Sequence, residues 1–185
     1  MSGSRYLISL LAALGLLACG TDGGKRPVPK PEAMPRIEIP QFADTVVNAG
    51  GKELIFNSFF TVNEGEKPGW LTLTYPNFPQ GALHITATVA DDIDAAIENR
   101  LERMALNTGS LSRMQTQVDS HNGWDGLLMV SLESVTTPVQ FLAVKGDSML
   151  SGALYLTLPA GTAPDSVAPV VEAANRDMLH MLKRL

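Results

Sequence analysis

The sequence predicts an α+β fold: an antiparallel sheet of about six to seven strands with two amphipathic helices. Three observations predict it. Several short runs alternate apolar and polar residues with a period of two, the mark of half-buried strands. Two longer runs repeat at the helical period, one in mid-chain and one at the C-terminus. Compact turn signals separate the strand runs, so successive strands pair antiparallel, and hairpins layered with amphipathic helices make an α+β domain.

The chain opens on an address rather than on a fold. Met1–Tyr6 carries one basic side chain, Arg5, and Leu7–Leu17 is almost continuously apolar. A basic start, a short apolar run and a small residue before the cut are the parts of a secretory signal, and the run is too short to span a bilayer. Cys19, the only cysteine, directly follows Ala18. That placement makes 1–18 a bacterial lipoprotein signal, with Cys19 as the new N-terminus and thioether acceptor. Each buried acyl methylene of a palmitate-type chain contributes about 0.8 kcal/mol, so two or three chains anchor stably.

Residues 19–40 read as anchor and tether. Lys25–Pro40 holds five of the twelve prolines. Proline fixes φ and removes the amide donor, which disfavours helix and central strand. An extended spacer of this length reaches roughly 60 Å.

A single globular domain is expected from 41 to 185. Leu54–Val62 is β-prone. Trp70–Tyr75 sets Leu71, Leu73 and Tyr75 against Trp70, Thr72 and Thr74, and Leu83–Val89 sets Leu83, Ile85, Ala87 and Val89 against His84, Thr86 and Thr88. Pro76–Gly81 between them reads as a turn. Asp91 or Asp92 caps a helix running to about Leu106, with Ile93, Ile97, Leu101, Met104 and Ala105 as its apolar stripe. Arg113–Asp119 and Trp124–Glu133 form a hairpin through His121-Asn122-Gly123. Val139–Val144 and Leu150–Leu158 follow, joined at Gly146-Asp147. Asp165 or Ser166 caps the last helix, whose stripe is Val167, Val170, Val171, Ala174, Met178, Met181 or Leu182, and Leu185.

Composition narrows the function classes. Of the 185 residues 45% are apolar and 18% charged, and the net charge is −5. Such a chain is too apolar for disorder, and its acidic balance argues against a nucleic-acid binder. Loss of 1–18 would remove Arg5 and leave 167 residues at −6. One cysteine excludes a disulfide framework. His84, His121 and His180 share no metal-ligand spacing. Asp91, Asp92 and Asp94 lack the EF-hand pattern. There is no G-x-S-x-G, no P-loop and no G-x-G-x-x-G. No catalytic residue, cofactor or metal site is therefore expected. Trp70 and Tyr155 lie on strand faces opposite the main leucine sets. With His84 they are the candidate partner surface, provided no helix covers them.

The order of parts carries a resemblance. Pro35-Arg36-Ile37-Glu38-Ile39-Pro40 ends the tether, and Trp70 leads to Tyr75-Pro76. Leu83-His84-Ile85-Thr86, Val139-Gln140-Phe141-Leu142 and Gly152-Ala153-Leu154-Tyr155 follow. Pro164-Asp165-Ser166-Val167-Ala168-Pro169-Val170 opens the last helix. From the tether to Leu185 the chain resembles the gliding-motility lipoprotein family GldD of Bacteroidota. It departs from that family in a first strand without proline, Leu54–Val62, and in a shortened turn, Lys145–Met149. The strand and helix order also resembles PsbP-like domains, α/β/α sandwiches that usually work by binding. The resemblance implies a non-catalytic envelope lipoprotein, held to the membrane by a lipid on Cys19. It also implies partners among other gliding and type IX secretion proteins. A stand-alone PsbP-like ligand-binding lipoprotein and an uncharacterised hydrolase are the competing readings. The lack of a dense acidic cluster after Cys19 favours a periplasm-facing domain over surface display.

The anchor reading has a direct test. A Cys19→Ser chain should lose acyl labelling and detergent partitioning; persistence of that chain in alkali-washed membranes would refute the lipid anchor.

Overall fold

Neighbouring residues on a strand face opposite sides of its sheet, so a strand apolar at consecutive positions must serve two cores. Val139–Lys145 is such a strand: Phe141 is fully buried in a large core and Leu142 is buried in a small one on the other side. This alternation organises the computed structural model of the protein. The structure describes Ile37, Ile39 and residues 44–108, 113–119, 122–131 and 133–185.

The elements are β1 (Thr45–Ala49), β2 (Lys52–Phe56), β3 (Thr61–Glu64), β4 (Trp70–Tyr75), β5 (Phe78–Val89), α1 (Ile93–Thr108), β6 (Met114–Asp119), β7 (Asp125–Val130), β8 (Val139–Lys145), β9 (Ser148–Leu156), a 3-10 turn at Pro164–Ser166, and α2 (Ala168–Leu182). Seven strands form one sheet in the order β3-β4-β5-β9-β8-β7-β6, and every pairing is antiparallel. The α+β class with a seven-strand antiparallel sheet and two helices is thus as the sequence predicts.

One face of the sheet presents Leu71, Leu73, Leu83, Ile85, Leu128, Val130, Phe141 and Leu154 to α2 and to the β1–β2 hairpin. α2 contributes Val170, Val171, Ala174, Met178, Met181 and Leu182, nearly the stripe its sequence spells. Ile37 and Ile39, placed in the tether by the surrounding prolines, pack against this same core. On the opposite face α1 lays Met104 over Met129 and Leu142, with Ile97 beside Val144 and Met149. The C-terminal end of α1 is fixed by side chains of the sheet and its loops. Gln140 Nε2 donates to the Met104 carbonyl at 3.1 Å, and Thr137 Oγ1 donates to the Asn107 carbonyl at 3.2 Å. The Asn107 carbonyl is one that a helix end would otherwise leave without a partner, and the Met104 carbonyl also accepts the Thr108 hydroxyl at 2.9 Å.

Several boundaries differ from the sequence expectation. β1 was not foreseen; it pairs with β2 across Gly50-Gly51, both at positive φ (57° and 81°), as a two-residue hairpin turn requires. The run Leu54–Val62 is not one strand. It breaks at Asn57–Phe60, where the Ser58 carbonyl accepts the Thr45 hydroxyl at 2.6 Å. There Phe60 turns inward to meet Phe56 edge-on at 5.4 Å and Tyr75 at 4.6 Å. β5 begins at Phe78 rather than after Gly81, because the Phe78 ring is buried close over Gly81. Neither Asp165 nor Ser166 caps α2. Both lie in the 3-10 turn, and Val167 precedes the helix with no side-chain cap. Asp92 does cap α1: its Oδ1 accepts the Ala95 amide at 3.0 Å. Leu101, expected in the α1 stripe, is exposed.

One polar pair lies in the large core. Tyr75 donates its hydroxyl to Asp177 Oδ2 at 2.7 Å, tying β4 to α2, and both side chains are almost wholly buried. Burial pushes the Asp177 carboxyl above the ordinary carboxylate range. The Ser58 and Tyr75 hydroxyls and the Asn57 backbone oppose that rise. Ser58 Oγ and Asp177 Oδ1 make no hydrogen bond of good geometry, so the Tyr75 bond is the contact that holds the carboxyl in place. Gly152 on β9 meets a different demand: a Cβ there would stand 2.4 Å from Phe141 Cε1 and 2.8 Å from the His84 carbonyl oxygen.

Both packings can be tested by their stability. A raised native pKa means that the folded state binds its proton more tightly than the unfolded chain does. The stabilisation is complete at acid pH and fades as pH rises through the native value. Asp177→Asn keeps an acceptor for Tyr75 without the charge, so it should melt above the wild type at pH 8, and the gap should close toward pH 4. Tyr75→Phe strands the carboxylate and should cost about 1–3 kcal/mol in denaturant melts. Gly152→Ala overpacks the Phe141 ring and should cost about 1–3 kcal/mol by the same measurement.

Candidate functional site

β4, β5 and β9 are bonded in register: Thr72 faces His84, and His84 faces Ala153. By the period of two, Trp70, Thr72, His84, Thr86, Ser151, Ala153 and Tyr155 share the sheet face opposite the large core. α1 covers that face only over β7 to β9. The strip beyond it is an open groove of about 380 Å³, floored by Thr72, His84, Thr86 and Ser151 and flanked by Trp70, Tyr155 and Arg100.

The structure thus brings together the three candidate surface residues read from the sequence. Trp70 is 46% exposed and Tyr155 40%. His84 accepts from or donates to Thr72 through Nδ1 at 3.2 Å. Its ring meets Tyr155 edge-on at 5.2 Å between centroids. Lys67 holds its ammonium 5.1 Å above the Trp70 ring, a cation–π distance. These contacts fix the aromatic side chains without burying them. Gly69, at φ 81°, lets the β3–β4 loop close against β5; a Cβ there would stand 2.6 Å from the Ala87 carbonyl oxygen.

Arg100 was not singled out from sequence. It projects from α1 into the groove wall, between the stripe positions Ile97 and Met104. Burial pushes its guanidinium below the ordinary value and the nearby Arg103 charge pushes the same way, while Tyr155 opposes them. An arginine stays charged through such a shift. Its Nε is buried without a hydrogen-bond partner, and no carboxylate of the described residues pairs with it. The signal in the sequence was a cation set inside an apolar helical stripe, three residues after Ile97 and four before Met104.

The other polar candidates go elsewhere. Asp92 is spent as a cap, and Asp91 and Asp94 are exposed. His180 approaches Asp44 at 3.6 Å and Arg184 bonds the same carboxylate at 3.1 Å, which pins the start of β1 to the end of α2. Cys19 and His121 lie outside the described residues. A second depression, bounded by Lys52, Glu53, Trp124, Lys145 and Asp147, is open. Lys52 stacks over its one aromatic ring at 4.6 Å. A small apolar cleft of about 240 Å³ lies at Ile39, Phe59 and Pro76. Among the described residues no helix is long and apolar enough to cross a bilayer.

Comparison with known proteins agrees with the order of these parts. The family model described as gliding motility lipoprotein GldD matches residues 24–185, which takes in the whole sheet, both helices and the groove. No curated protein matches the chain. With 24–185 matched, the chain belongs to the gliding motility lipoprotein family GldD.

Proposed function

We propose that this lipoprotein is a non-catalytic binding and assembly factor of the cell envelope, serving gliding motility and the type IX secretion machinery of a member of the Bacteroidota. A lipid on Cys19 would hold it to the membrane, and the 19–40 tether would present a periplasm-facing domain. The observation that carries this reading is the groove itself. Trp70 and Tyr155 stand half-exposed along the strip that α1 leaves open, beside Arg100, whose Nε has no hydrogen-bond partner among the described residues. Tryptophan, tyrosine and arginine are the residues most enriched where protein interfaces gain their energy.

The non-catalytic part of this reading rests on the side chains of the groove. Among the described residues its hydroxyl–imidazole pair, Thr72 and His84, has no carboxylate hydrogen-bonded to the ring as a nucleophilic triad would need. The helix–sheet–helix layering is compatible with a PsbP-like sandwich, which supports a binding role without naming a ligand.

A depletion strain tests the reading at the level of the cell. Loss of the protein should stop colony spreading and leave type IX cargo inside the cells, and normal gliding with normal secretion would refute it. Replacement by the lipidated Trp70→Ala/Tyr155→Ala chain should reproduce the loss while keeping wild-type abundance in membranes. Full complementation by that chain would move the functional surface away from the groove.

A further inference from the structure

Most surface arginines on a helix are solvated or paired with a carboxylate a turn away. Arg100 is neither. It is half-buried at the groove wall, its Nε reaches no acceptor, and no ion pair among the described residues involves it. Arg103 adds a second positive charge on the same helix, close enough to disfavour the charged guanidinium. Lys67 brings a third to the opposite rim, above Trp70. The chain is net acidic at −5, yet among the described residues the charged side chain that lines this groove is a cation, Arg100.

A desolvated guanidinium presents a planar fork of donors that matches a carboxylate. The position of Arg100 is not loose, because α1 is held by Gln140 and Thr137 at its C-terminal end and by Met104 in the small core. The cost of keeping that fork partly dry is met once an anion arrives. Enclosure decides what kind of molecule brings it. A small-ligand site surrounds most of its ligand. Here the two aromatic rims remain 46% and 40% exposed, which is the anatomy of a protein contact with a central anchor. The strands flooring the groove already use their backbone bonds in the sheet, so recognition there falls to side chains.

Resting on the partner-surface reading above, we propose that the groove receives an acidic segment of a partner protein, with one Asp or Glu carboxylate of that segment held by Arg100 between Trp70 and Tyr155. Arg100 is the charge anchor, and the two aromatics supply the apolar contact on either side of it.

The test uses the full lipidated chain in cells, with Tyr155 replaced by a photoreactive phenylalanine. Irradiation should give one discrete protein adduct, and the crosslinked peptide should contain an Asp or Glu near the attachment point. Arg100→Gln should lower the adduct yield at least about tenfold, since truncating one member of a desolvated charge pair weakens a complex by more than that. Arg100→Lys keeps the stem and the charge, so it guards against misfolding. It should still lose yield several-fold, because lysine cannot reproduce the planar fork. Unchanged yields in both variants, or a mapped peptide without a carboxylate, would overturn the anchor and leave the groove as a partner surface. No protein adduct at position 155, or adducts to non-protein material alone, would overturn the anchor and the partner-surface reading together.

Discussion

A sheet of seven strands spaced about 4.8 Å apart is roughly 29 Å across, and a helix about 10 Å wide screens about two strand spacings. That mismatch governs this domain. On one face the shortfall is made good by combining α2 with the β1–β2 hairpin and with Ile37 and Ile39 from the incoming segment. On the other face α1 works alone. It lies over β7 to β9, and its small core of Met104, Met129 and Leu142 closes only there. Among the described residues nothing covers the remaining strip over β4, β5 and the near part of β9, and its residues answer to water: threonines, a histidine, and two aromatics at the rims. The groove is therefore what remains of a wide sheet covered on that side by a single helix.

The position of α1 then matters more than its length. Two side-chain bonds from the sheet side to its last carbonyls and one buried methionine set where it stops. A helix one residue out of phase would turn Arg100 away from the groove and bring Leu101 in, making an apolar wall with nothing to attract an anion. Gln140 achieves this from within β8, one residue before Phe141 in the opposite core. The alternation that divides the sheet into two faces also delivers the polar side chain that fixes the helix on one of them.

Much of this was legible in the sequence, and the failures share a cause. Trp70, His84 and Tyr155 could be grouped because strand alternation is local: each side chain's face follows from its neighbours. The pairing of β4, β5 and β9 then placed the three together. The β1–β2 hairpin could have been read from Gly50-Gly51, but the short run before it offers little alternation to notice. The break in Leu54–Val62 was not readable, because an aromatic and β-branched run looks the same whether it continues or bends. What decides it is Phe60 packing on Tyr75, a contact between residues far apart in the chain.

Arg100 and Asp177 were missed for one reason, and it bears on how such sites are found. Each interrupts the apolar stripe of an amphipathic helix, at a position where the helical period calls for a hydrophobe. Reading the stripe means listing the residues that fit it, so those that do not fit drop out. Burying a charged group is costly, and a helix that carries one inward must set something against that cost. For Asp177 the compensation is internal: Tyr75 reaches it across the core, and the pair fastens α2 to the sheet. For Arg100 only Tyr155 nearby favours the charged form, and no carboxylate among the described residues pairs with it. A buried acid with an internal partner and a half-buried cation with no carboxylate beside it among the described residues, on two helices of the same domain, separate a structural polar group from one that faces outward. The second kind is what an interface residue looks like in the absence of its partner.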